Sequence, residues 1–135
     1  PTVKAAGAAY EMAGIENPRK EIDCAEVHDC FTITEILNYE DLGFCAKGEG
    51  GRFVREGHAS IDGDVAVNPS GGLKCFGHPI GATGCRMVYE ITRQLQGRAE
   101  GRQRDGARTG LVHNLGGLGG VVCGVAVLSS DDRYR

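Results

Sequence analysis

The segment GGLKCFGHPIGATG, residues 71–84, constrains the fold more than any other part of this chain. Before it, Val65 to Asn68 has strand character. After it, Met87, Val88, Ile91 and Leu95 recur at helical spacing and predict the buried face of a helix. The five glycines of the connection suit a place where backbone, ligand and helix end approach closely. One ionisable group, His78, stands there between Gly77 and Pro79. Pro79 suits the first helical position, which places His78 at or beside the N-cap, where the helix dipole disfavours an imidazolium. A neutral imidazole can act as a base, and the glycine amides around it are available to an anion.

The rest of the chain alternates in the same way. Val3, Ala6, Ala9, Tyr10 and Ala13 predict a helix over residues 2–13, stopped by Gly14 and Asn17-Pro18. IDCAEV, residues 22–27, reads as a strand leading into HDCF. Thr32 and Glu35 form a capping-box pattern ahead of Ile36, Leu37, Tyr39 and Leu42, predicting a helix over 33–42. Residues 44–63 are glycine-rich, charged and aperiodic, and read as a long loop. GRAEGRQRDGAR, residues 97–108, reads as a solvated loop, because Glu100 and Asp105 interrupt its basic run. Thr109 to His113 and Gly120 to Leu128 read as two strands joined across NLGGLGG, an antiparallel pair. GGLGG lacks the dinucleotide spacing and leads into a strand, so it is a poor nucleotide loop. The order α-β-α-β-α-β-β predicts an α/β layer fold.

A chain of 135 residues accommodates one domain with a modest core. Fifteen basic against 18 acidic residues give a net charge of −3, which points to neither nucleic acid nor a membrane surface as a partner. The longest apolar run, Val121 to Leu128, is far short of the roughly 20 residues that span a bilayer. The opening PTVKAAGAAYEMAG does not read as a signal peptide. Six cysteines are scattered without CxxC spacing, so reduced thiols in a cytoplasmic compartment are expected.

Three histidines fall at strand ends or the turns after them: His28 in VHDCF, His78 in GHP and His113 in VHNLGG. In open α/β sheets such ends line the ligand crevice, so their convergence there is expected. Cys30, two residues beyond His28, is either a small buried thiol or a proton-transfer group activated by a neighbouring histidine. A metal site built from His28, Cys30, His78 and His113 lacks any close-spaced ligand pair.

HDCF at 28–31, NPSGG at 68–72, GHPIGATG at 77–84 and HNLGG at 113–117, in this order and spacing, resemble the C-terminal half of a thiolase. More narrowly, the chain is similar to the sterol-carrier-protein type. The resemblance covers almost the whole chain and implies a mixed sheet covered by helices. It implies acyltransfer on acyl-CoA thioesters, by Claisen condensation or thiolytic cleavage of a 3-ketoacyl-CoA, in fatty-acid or sterol side-chain metabolism. By the same resemblance His78 activates a nucleophilic cysteine, and His28 orients a water or the thioester oxygen. His113 replaces an acid/base cysteine, and Cys30 supplies the lost thiol. Phe31, Gly77, Asn114 and Gly116 would contact substrate, with coenzyme A thioester as substrate and no metal or redox cofactor.

The resemblance also implies what lies outside these residues. The acyl-accepting cysteine belongs to the N-terminal thiolase half, so the chain alone is expected to be inactive. In the family the strand that precedes the first helix is central, so its absence here is expected to leave a gap in the sheet. A homodimer is implied for the complete enzyme. Two other readings stand: a thiolase-like retro-aldolase of steroid side-chain CoA thioesters, working with an OB-fold partner protein, or a non-catalytic acyl-CoA or lipid-binding module.

Overall fold

In a computed structural model of the chain, residues 1–117 and 122–131 are described. The chain order is α1 (Thr2–Ala13), α2 (Pro18–Glu21), β1 (Cys24–Val27), α3 (Thr32–Asp41), α4 (Gly50–Arg55) and β2 (Ala66–Val67). Then follow α5 (Gly72–Phe76), α6 (Thr83–Leu95), a 3-10 turn (Glu100–Arg102), β3 (Thr109–Gly116) and β4 (Val122–Ser129). The expected first residues of the last strand, Gly120 and Val121, lie outside the described residues.

The four strands form one mixed sheet in the order β2-β1-β3-β4. β1 runs parallel to both neighbours, and β3 pairs antiparallel with β4 from Thr109↔Ser129 to Gly116↔Val122. The expected gap is therefore not there. β1 and β3 bond directly, Cys24 opposite Gly110 and Val27 opposite His113, so each satisfies the other's backbone groups.

All four residues of β1 are buried, as expected of a strand covered on both faces. On one face Ala25, Val27 and Leu111 pack with Ala6 of α1, Tyr39 of α3, and Leu42, Phe44 and Phe53. On the other, Cys24, Ala66 and Val112 pack with Leu73, Met87 and Ile91. Met87 and Ile91 are fully buried, each stabilising the domain by about 2 kcal/mol of apolar transfer. α6 comes so close to β3 that a Cβ on Gly110 would lie 2.4 Å from Ile91 Cγ2.

Several sequence expectations give way to packing. α6 begins at Thr83 with Ala82 as its N-cap, so Pro79 is not its first residue and His78 is not at its N-cap; the Ala82 and Thr83 amides both donate to the Pro79 carbonyl in a turn that leads into the helix. Val88 is 42% exposed and leaves the buried face to Thr83, Met87, Glu90, Ile91 and Gln94. The capping box does not form: Phe31 is the N-cap of α3, and Glu35 instead accepts from Asn68 and Lys74. Residues 44–63 hold a helix, α4, pinned by Phe53, whose ring lies 5.4 Å from that of Tyr39. The loop at 97–108 is tied to α6, because Arg102 forks onto Glu90 at 2.9 to 3.1 Å and Gln94 bonds the Arg102 carbonyl and the Arg104 amide.

Candidate active site

β1 ends at Val27 and delivers His28, Asp29 and Cys30 to the edge of the core. The His28 backbone is held at both ends: its carbonyl accepts from Asn38 Nδ2 at 2.7 Å, and its amide donates to His113 Nδ1 at 3.4 Å. Its ring Nδ1 lies 2.7 Å from Asn114 Oδ1. The imidazole is nearly buried, at 5% exposure.

Successive residues of a strand face opposite ways, and this separates His113 from Asn114. Asn114 points to the α6 face and to His28. His113 points to the α1 face, where it is fully buried with Nε2 3.1 Å from the Thr2 hydroxyl. Because His113 Nδ1 accepts from the His28 amide, Nε2 carries the proton and donates to Thr2. Burial first, then the neighbouring His28, pushes the His113 pKa down to about 4, so the ring is neutral near pH 7.

His78 reaches the same edge from the other side. Asp29, fully buried, accepts from the Leu73 amide at 2.7 Å and the Lys74 amide at 3.4 Å, fixing the start of α5. Gly72 is needed there, with φ +64° and a hypothetical Cβ only 2.4 Å from Asp29 Oδ2. α5 then runs into Gly77 and His78. His78 Nδ1 lies 2.7 Å from Thr83 Oγ1, and the Thr83 hydroxyl donates to the Pro79 carbonyl at 3.2 Å. With the hydroxyl hydrogen on the Pro79 carbonyl, the Thr83 oxygen accepts from His78 Nδ1–H, and in that arrangement Nε2 keeps its lone pair. The rings of His28 and His78 meet edge to face at a centroid distance of 4.9 Å.

Behind the histidines the NPSGG turn is anchored to β1. Asn68 Oδ1 accepts from the Val27 amide at 2.8 Å, and Ser70 Oγ donates to Glu26 Oε2 at 2.8 Å. Arg86 of α6 bonds the same Glu26 oxygen at 3.0 Å. Burial pushes the Glu26 carboxyl above its ordinary range, opposed by Ser70 and Arg86.

The structure thus brings His28, His78 and Asn114 together and sets the His113 ring on the opposite sheet face. Cys30 is exposed, its thiol 3.8 Å from the Thr34 hydroxyl. Phe31 is 70% exposed beside it, and Gly77 and Gly116 are exposed at the ends of α5 and β3. The apolar groove of about 370 Å³ between α1 and β4, lined by Ala9, Met12, Ala13, Val125, Ala126 and Val127, belongs to a different face. Sequence reasoning missed Asp29, Asn38, Asn68, Thr83 and the Glu26–Arg86 pair. Their only signal was polarity inside otherwise apolar or glycine-rich runs.

A mixed α/β half-sheet that carries HDCF, NPSGG, GHP and HNLGG around two touching imidazoles defines a thiolase-type domain. The chain belongs to the thiolase C-terminal domain-like family, whose pattern matches residues 1–130. It is 55% identical to an acetyl-CoA acetyltransferase of Methanothermobacter thermautotrophicus over 119 residues, 88% of this chain and 30% of that protein. It is 45% identical to human sterol carrier protein 2 over 88% of this chain and 21% of that protein. A solved structure, an Ltp2-ChsH2(DUF35) aldolase, superposes with a TM-score of 0.79 at 26% identity, covering 99% of this chain and 33% of that chain. The chain therefore spans about 30% or less of the length of these curated relatives. Among the described residues no helix is long and apolar enough to cross a membrane.

Proposed function

We propose that the chain is the C-terminal part of a thiolase-type acyl-CoA acyltransferase, cleaving or condensing 3-ketoacyl-CoA thioesters. One observation carries the proposal: His78 is held through Nδ1 by Thr83, so its Nε2 lone pair is presented beside His28. A general base needs that geometry before any particular pKa. The thiol that His78 deprotonates is a cysteine of the N-terminal half, outside these 135 residues. The thiolate attacks the acyl carbonyl, and His28 stabilises the developing oxyanion. Cys30 moves the proton at the substrate α-carbon. His113, buried and neutral, serves this cycle by holding the His28 amide.

Phe31, Gly77, Asn114 and Gly116 border the acyl-CoA, and the chemistry calls for proton transfer without a metal or redox cofactor. A homodimer of the complete subunit and a cytoplasmic setting belong to the same reading. The test is thiolysis of a 3-ketoacyl-CoA by a complete subunit. His78→Ala lowers kcat by roughly a hundredfold or more, and Cys30→Ala suppresses α-proton exchange. Full exchange in Cys30→Ala would remove Cys30 from the mechanism.

The superposition on the aldolase supports one other reading, a retro-aldol cleavage of a CoA thioester with an OB-fold partner. It needs no nucleophilic cysteine, so a complete subunit that cleaves its substrate without forming an acyl-enzyme would select it.

A further inference from the structure

We propose that Asn114 is a positioning residue that sets the tautomer of His28, so that His28 meets the substrate with the Nε2 lone pair and not with an N–H. The inference rests on the reading of His28 as an oxyanion-side group. An amide oxygen can only accept a hydrogen bond, so the 2.7 Å contact between Asn114 Oδ1 and His28 Nδ1 requires the proton on Nδ1. A neutral imidazole has one such proton, and Nε2 is left as an acceptor. The backbone is held on both sides of the contact. Asn114 sits on β3 opposite Gly124 of β4, and His28 is clamped through its carbonyl by Asn38 and through its amide by His113.

The consequence is chemical. An Nε2 lone pair cannot donate to a thioester oxygen. Of the two roles that the resemblance implies for His28, this selects the one through a water molecule, which gives one hydrogen to Nε2 and the other to the oxyanion. Thr83 imposes the same Nδ1–H form on His78, so the two touching imidazoles offer two acceptors and no direct Nε2–H donor until one of them takes up a proton.

The test is long-range proton–nitrogen NMR on the full chain labelled with ¹⁵N-histidine, at pH 8, with His28→Gln to assign the signals. In the unsubstituted protein the His28 Nδ1 signal is that of a protonated nitrogen and Nε2 that of an unprotonated one. Asn114→Ala releases His28 to the Nε2–H form that free imidazole side chains prefer in water. Asn114→Asp, whose carboxylate still accepts, keeps Nδ1–H. An Nε2–H His28 in the unsubstituted protein, or a tautomer unchanged in Asn114→Ala, overturns the proposal. If Asn114→Ala does not fold, the unsubstituted spectrum and Asn114→Asp decide. No substrate is involved, so failure to cleave a 3-ketoacyl-CoA by a protein with the expected tautomer would count against the acyltransferase reading alone.

Discussion

The carboxylate of Asp29 accepts a hydrogen bond from the Leu73 amide at 2.7 Å and thereby ties the HDCF strand end to the helix that runs into GHP. His28 and His78 belong to segments 50 positions apart in sequence, and this buried contact fixes one relative to the other.

Gly72 is the tightest point of that coupling. Gly72→Ala puts a methyl 2.4 Å from Asp29 Oδ2 at a φ of +64°. The expected loss is about 2 kcal/mol or more, read as a lower urea midpoint with an unchanged slope. A midpoint equal to that of the parent chain would show that Asp29 and α5 are not locked together.

Glu26 and Arg86 form a buried ion pair behind the NPSGG turn, with Ser70 as the third member. Removing one partner strands a charge, so Arg86→Met should destabilise the domain by about 3 kcal/mol. Combining it with Glu26→Leu, which removes the stranded carboxylate, should recover much of that loss in equilibrium unfolding. Equal stability of Arg86→Met and the parent would mean that Glu26 is already neutral without its partner.

His113 makes stability depend on pH. Its folded pKa lies near 4, below the unfolded value of 6.5, so the unfolded chain binds the proton first as pH falls. The contribution is fully present above pH 6.5, shrinks as the pH drops, and is lost by the time the pH passes 4; its size is about 3 kcal/mol. Denaturation midpoints should fall between pH 7 and 5, and His113→Gln should flatten that slope.

Thr83 holds His78 through one hydroxyl. Thr83→Val keeps the shape and the helix start but removes the acceptor for Nδ1–H. In a complete subunit kcat should fall by roughly tenfold or more with little change in KM. A raised KM with unchanged kcat would assign Thr83 to substrate binding instead.

Much of the architecture was legible because periodicity and turn chemistry agree with the fold. The helix at 2–13 has the expected bounds, and the antiparallel pairing of the last two strands follows from their apolar runs and the glycines between them. What was not legible depends on partners distant in sequence. Glu35 reads as a capping residue, yet Asn68 and Lys74 compete for its carboxylate and win. α4 has no helical periodicity to show, and it folds because Phe53 finds Tyr39. At the site, the three histidines gather at one strand end as expected, but strand alternation turns the His113 ring to the other face. His113 and Asn114 are neighbours in sequence and face opposite layers, so Asn114 meets His28 on the α6 face. The sheet is continuous because β1 pairs with β3, a register that the short IDCAEV run could not specify.

The central claim is that His78 serves a thiol located outside these 135 residues. Its most direct test is mass-spectrometric mapping of the acyl adduct formed when a complete subunit is incubated with acetyl-CoA and quenched in acid. The account predicts one acetyl group on a cysteine of the N-terminal half, abolished or strongly reduced in His78→Ala. An adduct on Cys24, Cys30, Cys45, Cys75, Cys85 or Cys123, or no acyl-enzyme in a subunit that turns over, would contradict it.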